Sequence, residues 1–465
     1  MTIVPQIVCI LLGIIFELLC TSEALHIAVV GAGASGISSA KNAIDLGHTV
    51  EIFEKSDALG GAWYYKDEVG KDKYNVDIHS PLYESYRTNM PFQVLQFPDN
   101  YYPENTPSYP SHKIVWNYLN RYAEKYNITN RIKYLTLVEK VLSLENNQWE
   151  ITVRHLETNS TVTSTFDSVF VCTGVCSSPF IPKLKGAEKY KGQVIHSRDY
   201  RKPDTFQKEN VLVIGIDPSG HDIVKDLRRT GTKITRSYME FSTVTQNSQV
   251  KKIIGKAQGM LTNCFAVTEE YKRQNNISSL IGNVKRFTGP HEVEFENGKR
   301  INFTVIIYAT GYKHSYPFLD ASTGIQVKNN HVEPLYKNVL NIEHHTMAFI
   351  GITNWELHFR MYDLQARFAL AFISGIRELP PKPDMMKAMP TYPYQIRTMK
   401  DCKARKAFSS HQDYYFDLSQ TAHVPNVRVV YSELYANALK HLNEPGFRNY
   451  KYVVNGNTFD RVKEK

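Results

Sequence analysis

Two short stretches space their small residues in a way that suits phosphate binding. Gly31, Gly33 and Gly36 flank Ala32, Ala34 and Ser35, and further along Gly215 and Gly220 bracket Ile216, Asp217, Pro218 and Ser219. In such a turn the first glycine makes the bend and the second lets a pyrophosphate reach the backbone, while the third lets a helix pack against a strand. The helix that follows presents unpaired N–H groups and a partial positive charge to an anion. Two further side chains tell the stretches apart. Glu54, closing the apolar run after the first turn, can accept hydrogen bonds from a ribose diol, and Arg236, at the matching point after the second, can meet a ribose 2′-phosphate. The expectation is a pair of dinucleotides, FAD at the first turn and NADPH at the second. Asp217 stands where the second turn would have its middle glycine, and its bulk and charge both oppose a pyrophosphate there.

The elements that must position these residues are legible from periodicity. His26–Val30 reads as a strand, a helical pattern runs to about Leu46 and stops at Gly47, and Thr49–Phe53 reads as a second strand. Asn210–Ile214 repeats the strand signal, followed by a helical stretch to about Arg229 and a strand near Lys233–Thr235. This alternation predicts an α/β fold with two Rossmann-like dinucleotide-binding domains. Gly60, Gly61, Ala62 and Trp63 suggest another close approach of backbone to ligand. A helix over about 113–126 places Ile114, Val115, Tyr118, Leu119 and Tyr122 on one face, which is core packing.

Tyr190, Gly192, His196 and Tyr200 match the FxGxxxHxxxY signature of the flavin-containing monooxygenases, with Tyr for the leading Phe. Thr88, Asn89 and Pro91 resemble that family's active-site segment, and Cys172–Gly174 and Ala309–Tyr312 resemble its two ATG-type crossings. Phe349–Gly351 and Leu364–Ala366 also fit. From Leu25 to about Pro380 the chain therefore resembles this family, most of all its secreted insect branch of pyrrolizidine-alkaloid N-oxygenases. The resemblance implies an FAD domain built from residues 25–205 and 326–465, with an NADPH domain, 206–325, inserted. It implies that Asn89 is catalytic, that Ala62, Trp63 and Thr88 lie at the flavin, and that Ser197 and Tyr200 contact the nicotinamide cofactor. It also implies the reaction: NADPH reduces FAD, O2 is captured as a C4a-hydroperoxyflavin, and a tertiary amine or sulfide takes the terminal oxygen. His196 reads as a satisfied core histidine rather than a catalyst.

Composition bounds the rest. Apolar residues make up 42% and charged residues 22%, as in an ordinary globular protein, and the +9 net charge is scattered. No nucleic-acid-binding motif, Ser/His/Asp triad or metal-ligand spacing stands out. Ile7–Cys20 is apolar apart from Gly13 and Glu17, short for a membrane span, which needs about 20 apolar residues. Residues 1–24 read as a signal peptide cut after Ala24, giving a secreted protein with no stable membrane span, the alternative being retention as an endoplasmic-reticulum anchor. Self-association stays open. Two other functions compete: an uncoupled NADPH oxidase releasing H2O2, and a non-catalytic FAD-binding paralogue whose NADPH site has decayed at Asp217.

Overall fold

The apolar run at the start of the chain forms β1 (His26–Val30), with Ile27, Ala28 and Val29 fully buried. These elements come from a computed structural model, in which residues 23–215, 218–237, 280–353, 358–389, 404–442, 444 and 446–464 are described. The proposed signal peptide falls almost wholly outside them. α1 (Ala34–Asp45) follows and ends ahead of Gly47, whose φ of +82° is the left-handed conformation that closes a helix cheaply only at glycine. β2 (Thr49–Phe53) pairs parallel with β1 from His26–Thr49 to Val30–Phe53.

α2 (His112–Lys125) buries Val115, Tyr118, Leu119 and Tyr122 against the core, as its apolar stripe requires. Tyr118 stacks on Tyr102 at 4.0 Å between ring centroids, and Tyr122 lies 4.2 Å from Phe97. After β3 (Ile132–Lys133), a three-stranded antiparallel sheet (Thr136–Ser143, Trp149–His155, Ser160–Phe166) intervenes before β4 (Ser168–Val171). β5 (Gln193–His196), β6 (Asn210–Ile214), α3 (Pro218–Leu227), β7 (Lys233–Ser237), β8 (Leu280–Ile281) and β9 (Val305–Tyr308) make the second unit. The chain then returns through β10 (Leu335–Tyr336), β11 (Leu340–Asn341), β12 (Met347–Phe349), α4 (His358–Ile373), α5 (Ala404–Ala422) and α6 (Val429–His441).

The first sheet runs β10-β11-β12-β4-β1-β2-β3, and β12 lies parallel beside β4 although more than a hundred residues separate them in sequence. The second runs β8-β7-β6-β9-β5 and is parallel throughout. Both are wound from a central strand that leads into a glycine turn, so the two turns lie at the carboxyl ends of β1 and β6, where open α/β sheets bind ligands. The fold class is the expected one. Gln193–His196, on the first-domain side of the boundary expected at 206, is the edge strand of the second sheet, because its backbone pairs with β9. Among the described residues no helix is long and apolar enough to cross a membrane.

Candidate active site

At the end of β1 the glycines do different jobs. Gly31 has φ +103°, and a Cβ there would sit 2.7 Å from the Cys172 carbonyl oxygen. A Cβ on Gly36 would sit 1.9 Å from the Gly31 carbonyl oxygen, so α1 could not lie against β1. Gly33 is otherwise: its φ of −73° and ψ of −177° suit any residue, and the nearest atom to an added Cβ is Gly61 Cα at 3.6 Å. The protein does not need a glycine at 33. Leaving that surface bare, opposite the bare Gly61, fits a ligand that must touch backbone, as a dinucleotide pyrophosphate does at a helix N-terminus. Glu54 is 3% exposed and its oxygens accept from the Ala32 and Ser56 amides, each at 2.8 Å. The carboxylate is thus fixed beside the turn, and each oxygen keeps a lone pair for a ribose hydroxyl. Ser35 Oγ donates to the Cys172 carbonyl at 3.5 Å.

Beyond the turn, Trp63 is half-buried and forms an edge contact with Tyr86 at 6.1 Å and with Phe359 at 6.2 Å. Tyr86 meets Tyr83 at 5.3 Å, and the Tyr83 hydroxyl donates to Asp222 on α3 at 2.7 Å. This aromatic run joins the first nucleotide unit to the helix of the second. Thr88 is 1% exposed, and among the described residues its hydroxyl has no partner. Asn89 is half-buried, with Oδ1 accepting from Arg448 at 2.6 Å. Arg448 was missed in the sequence, since no periodicity or motif links the tail to Thr88 and Asn89. Gln365, fully buried on α4, accepts from the Gly351 amide at 2.9 Å and donates to the Tyr414 hydroxyl at 2.9 Å, clamping the loop after β12.

At the second turn Gly215 has φ +129°, and a Cβ would meet the Ala309 carbonyl oxygen at 2.0 Å. A Cβ on Gly220 would lie 2.9 Å from the Gly215 carbonyl oxygen. Asp217 lies outside the described residues. Ser219 is exposed on the first turn of α3, and Ser197 is 5% exposed in the turn after β5. Arg236, 4% exposed, donates from Nε to the Gly215 carbonyl at 3.2 Å, so its guanidinium does lie at the turn. Tyr200 is different. Its ring has no exposed surface, stacks on Phe206 at 5.7 Å, and its hydroxyl donates to Asp226 at 2.9 Å. A cofactor contact does not fit that position: Tyr200 packs the second unit's core. His196 is 2% exposed, its Nε2 donates to the Gly311 carbonyl at 3.0 Å, and its Nδ1 accepts from the Arg198 amide at 3.1 Å. Burial lowers its pKa to about 4, so it is neutral and ties the end of β5 to the Ala309–Tyr312 crossing.

These turns and sheets define a two-dinucleotide flavoprotein architecture, and comparison with known proteins agrees. A family model described as flavin-binding monooxygenase-like matches residues 24–263 and 274–453. Senecionine N-oxygenase of Tyria jacobaeae is 30% identical over 442 residues, covering 94% of this chain and 91% of that protein. Flavin-containing monooxygenase FMO GS-OX-like 1 of Arabidopsis thaliana is 32% identical over 382 residues, covering 79% of this chain and 75% of its own. Among solved structures, S-allyl-L-cysteine S-oxygenase from Allium sativum superposes with a TM-score of 0.74 at 24% identity, over 92% of this chain and 95% of that one. The latter likeness is one of fold. The chain belongs to the flavin-binding monooxygenase family, and it is a flavin-containing monooxygenase with an N-oxygenase among its relatives.

Proposed function

We propose that the chain uses NADPH and FAD to place one atom of O2 on a soft nucleophile, a tertiary amine or a sulfide, as the N- or S-oxide. The observation that carries the reading is the bare Gly33–Gly61 approach at the N-terminus of α1. When bound, the flavin and nicotinamide supply hydride transfer and the activation of oxygen. The chain supplies binding, orientation and dryness. Gly31, Gly33, Ser35 and Gly36 would cradle one pyrophosphate and Glu54 its ribose, while Ala62, Trp63, Thr88 and Asn89 would face the reacting end. Gly215, Ser219, Gly220 and Ser197 would serve the second nucleotide, with Arg236 selecting a 2′-phosphate.

Trp63, Tyr83, Tyr86 and Phe359 keep water from this region. Burial holds the Tyr83 and Tyr86 hydroxyls protonated and pushes the Cys176 thiol up to about 11, so none of them brings negative charge. The Asn89 amide offers a fixed N–H donor. The names of the relatives, an N-oxygenase of senecionine and an S-oxygenase of S-allyl-L-cysteine, support nitrogen or sulfur as the acceptor. Export directed by residues 1–24 belongs to the same proposal. The test is to reduce the yellow protein anaerobically with NADPH, admit air with a tertiary amine or a thioether, and identify the product by mass. One oxide per NADPH is expected. A protein that holds FAD but shows no amine- or sulfide-stimulated NADPH oxidation sinks the proposal.

A further inference from the structure

We infer that Arg448 is a positioning residue that sets the orientation of the Asn89 amide; this rests on the reading of Asn89 given above. Arg448 lies in the short turn Phe447–Asn449, just before an antiparallel hairpin of Tyr450–Asn455 and Thr458–Lys463. Phe447 anchors the turn by an edge contact with Tyr109 at 5.2 Å. The Arg448 side chain is 17% exposed. Its Nε donates to the Thr88 carbonyl at 3.2 Å, and its Nη2 donates to the Arg87 carbonyl at 3.2 Å and to Asn89 Oδ1 at 2.6 Å. Asp222 Oδ2 on α3 lies 3.5 Å from the same Nη2 and also receives the Tyr83 hydroxyl. One guanidinium therefore grips the three consecutive residues Arg87, Thr88 and Asn89 and faces the helix of the second unit.

The orientation follows from donor chemistry. A guanidinium has donors and no acceptor, so the end of the amide that faces it must be the carbonyl oxygen. Nδ2 then points the other way, and among the described residues no acceptor takes its hydrogens. The terminal torsion of asparagine is soft and close to two-fold, so without Arg448 the amide could turn its oxygen to the side that Nδ2 now faces. An oxygen there would repel an electron-rich group that the N–H stabilises. The consequence is a change in partition. In the productive cycle, NADPH, H+, O2 and substrate give NADP+, water and the oxide; in the leak, NADPH, H+ and O2 give NADP+ and H2O2.

The test compares Arg448→Ala and Arg448→Lys with the parent enzyme, measuring FAD content, thermal midpoint, NADPH consumed, oxide formed and H2O2 released. Arg448→Ala is expected to raise the H2O2-to-NADPH ratio at least about threefold with FAD retained. Arg448→Lys restores part of the coupling, because an ammonium reaches Asn89 but cannot keep the planar fork. The decisive measurement is the double variant. In an Asn89→Ala background, Arg448→Ala should add no further leak, since both act through one amide. If the two effects simply add, or if Asp222→Asn alone reproduces the leak, Arg448 acts through α3 and the inference is overturned. If Arg448→Ala does not fold, the same cycle run with Arg448→Lys decides it. A parent enzyme that forms no oxide fails the proposed function instead, which separates the two failures.

Discussion

Gly33→Ala separates what the fold needs from what the ligand needs. Gly33 has an ordinary extended backbone, and a methyl group there would meet nothing closer than 3.6 Å. Replacing glycine at an unstrained position removes freedom from the unfolded chain and stabilises by about 0.4–1 kcal/mol. Gly33 is also the N-cap of α1, where alanine is a poorer residue than glycine by a similar amount, about 1 kcal/mol. The two terms offset, so the ligand-free variant should melt within about 2 °C of the parent. The bound state should suffer, because the methyl projects into the space left for the pyrophosphate. Overpacking of that kind costs about 1–3 kcal/mol, which weakens FAD binding by about 5- to 150-fold. The assay is to strip the flavin, record melting, and titrate FAD by the quenching of its fluorescence. An unchanged FAD affinity, or a ligand-free melting point lower by many degrees, would refute the assignment of Gly33 to the cofactor.

Other substitutions probe the scaffold. Gly36→Ala, whose Cβ would lie 1.9 Å from a backbone oxygen, should destabilise the ligand-free protein by at least about 3 kcal/mol in chemical denaturation. Gln365→Leu removes the acceptor of the buried Gly351 amide and one of the hydrogen bonds of the Tyr414 hydroxyl, and should cost about 1–3 kcal/mol in the same measurement. His196 titrates near 6.5 when unfolded and about 4 when folded, so the native state binds fewer protons between those values. Its contribution, about 3 kcal/mol at most, is present above pH 6.5 and is lost as pH falls toward 4. His196→Gln should therefore flatten the fall of stability with acid by about 1.4 kcal/mol per pH unit in that window, read from denaturation at pH 7, 5.5 and 4.5.

What the sequence made legible was local. β1, α1 and β2 announce themselves because strand, glycine turn, helix and strand follow within a few tens of residues, each with its own period and stop signal. The glycine at 36 was readable for the same reason: helix packing needs it within one turn of the bend. Contacts made across long separations were not. Gln193–His196 alternates weakly and is half exposed, so nothing in it says that it will pair with β9. Tyr200 sits in a family signature that suggested a cofactor contact, yet its hydroxyl has a nearer buried partner in Asp226, which only α3's packing supplies. Arg448 belongs to a tail with no periodic signature, and its role arises from one turn folding back on Thr88.

The late arrival of β12 orders events on the ribosome. The inner unit is complete once β9 ends at Tyr308, but the outer sheet waits for β12, which ends at Phe349, about 180 residues after β4 ends at Val171. At roughly 5–20 residues per second this leaves about 9–36 s in which β4 offers an unpaired edge. Such an edge is a template for mispairing with a neighbouring nascent chain. Yield of soluble protein should therefore depend more on chaperone supply and growth temperature than on the stability of the finished molecule.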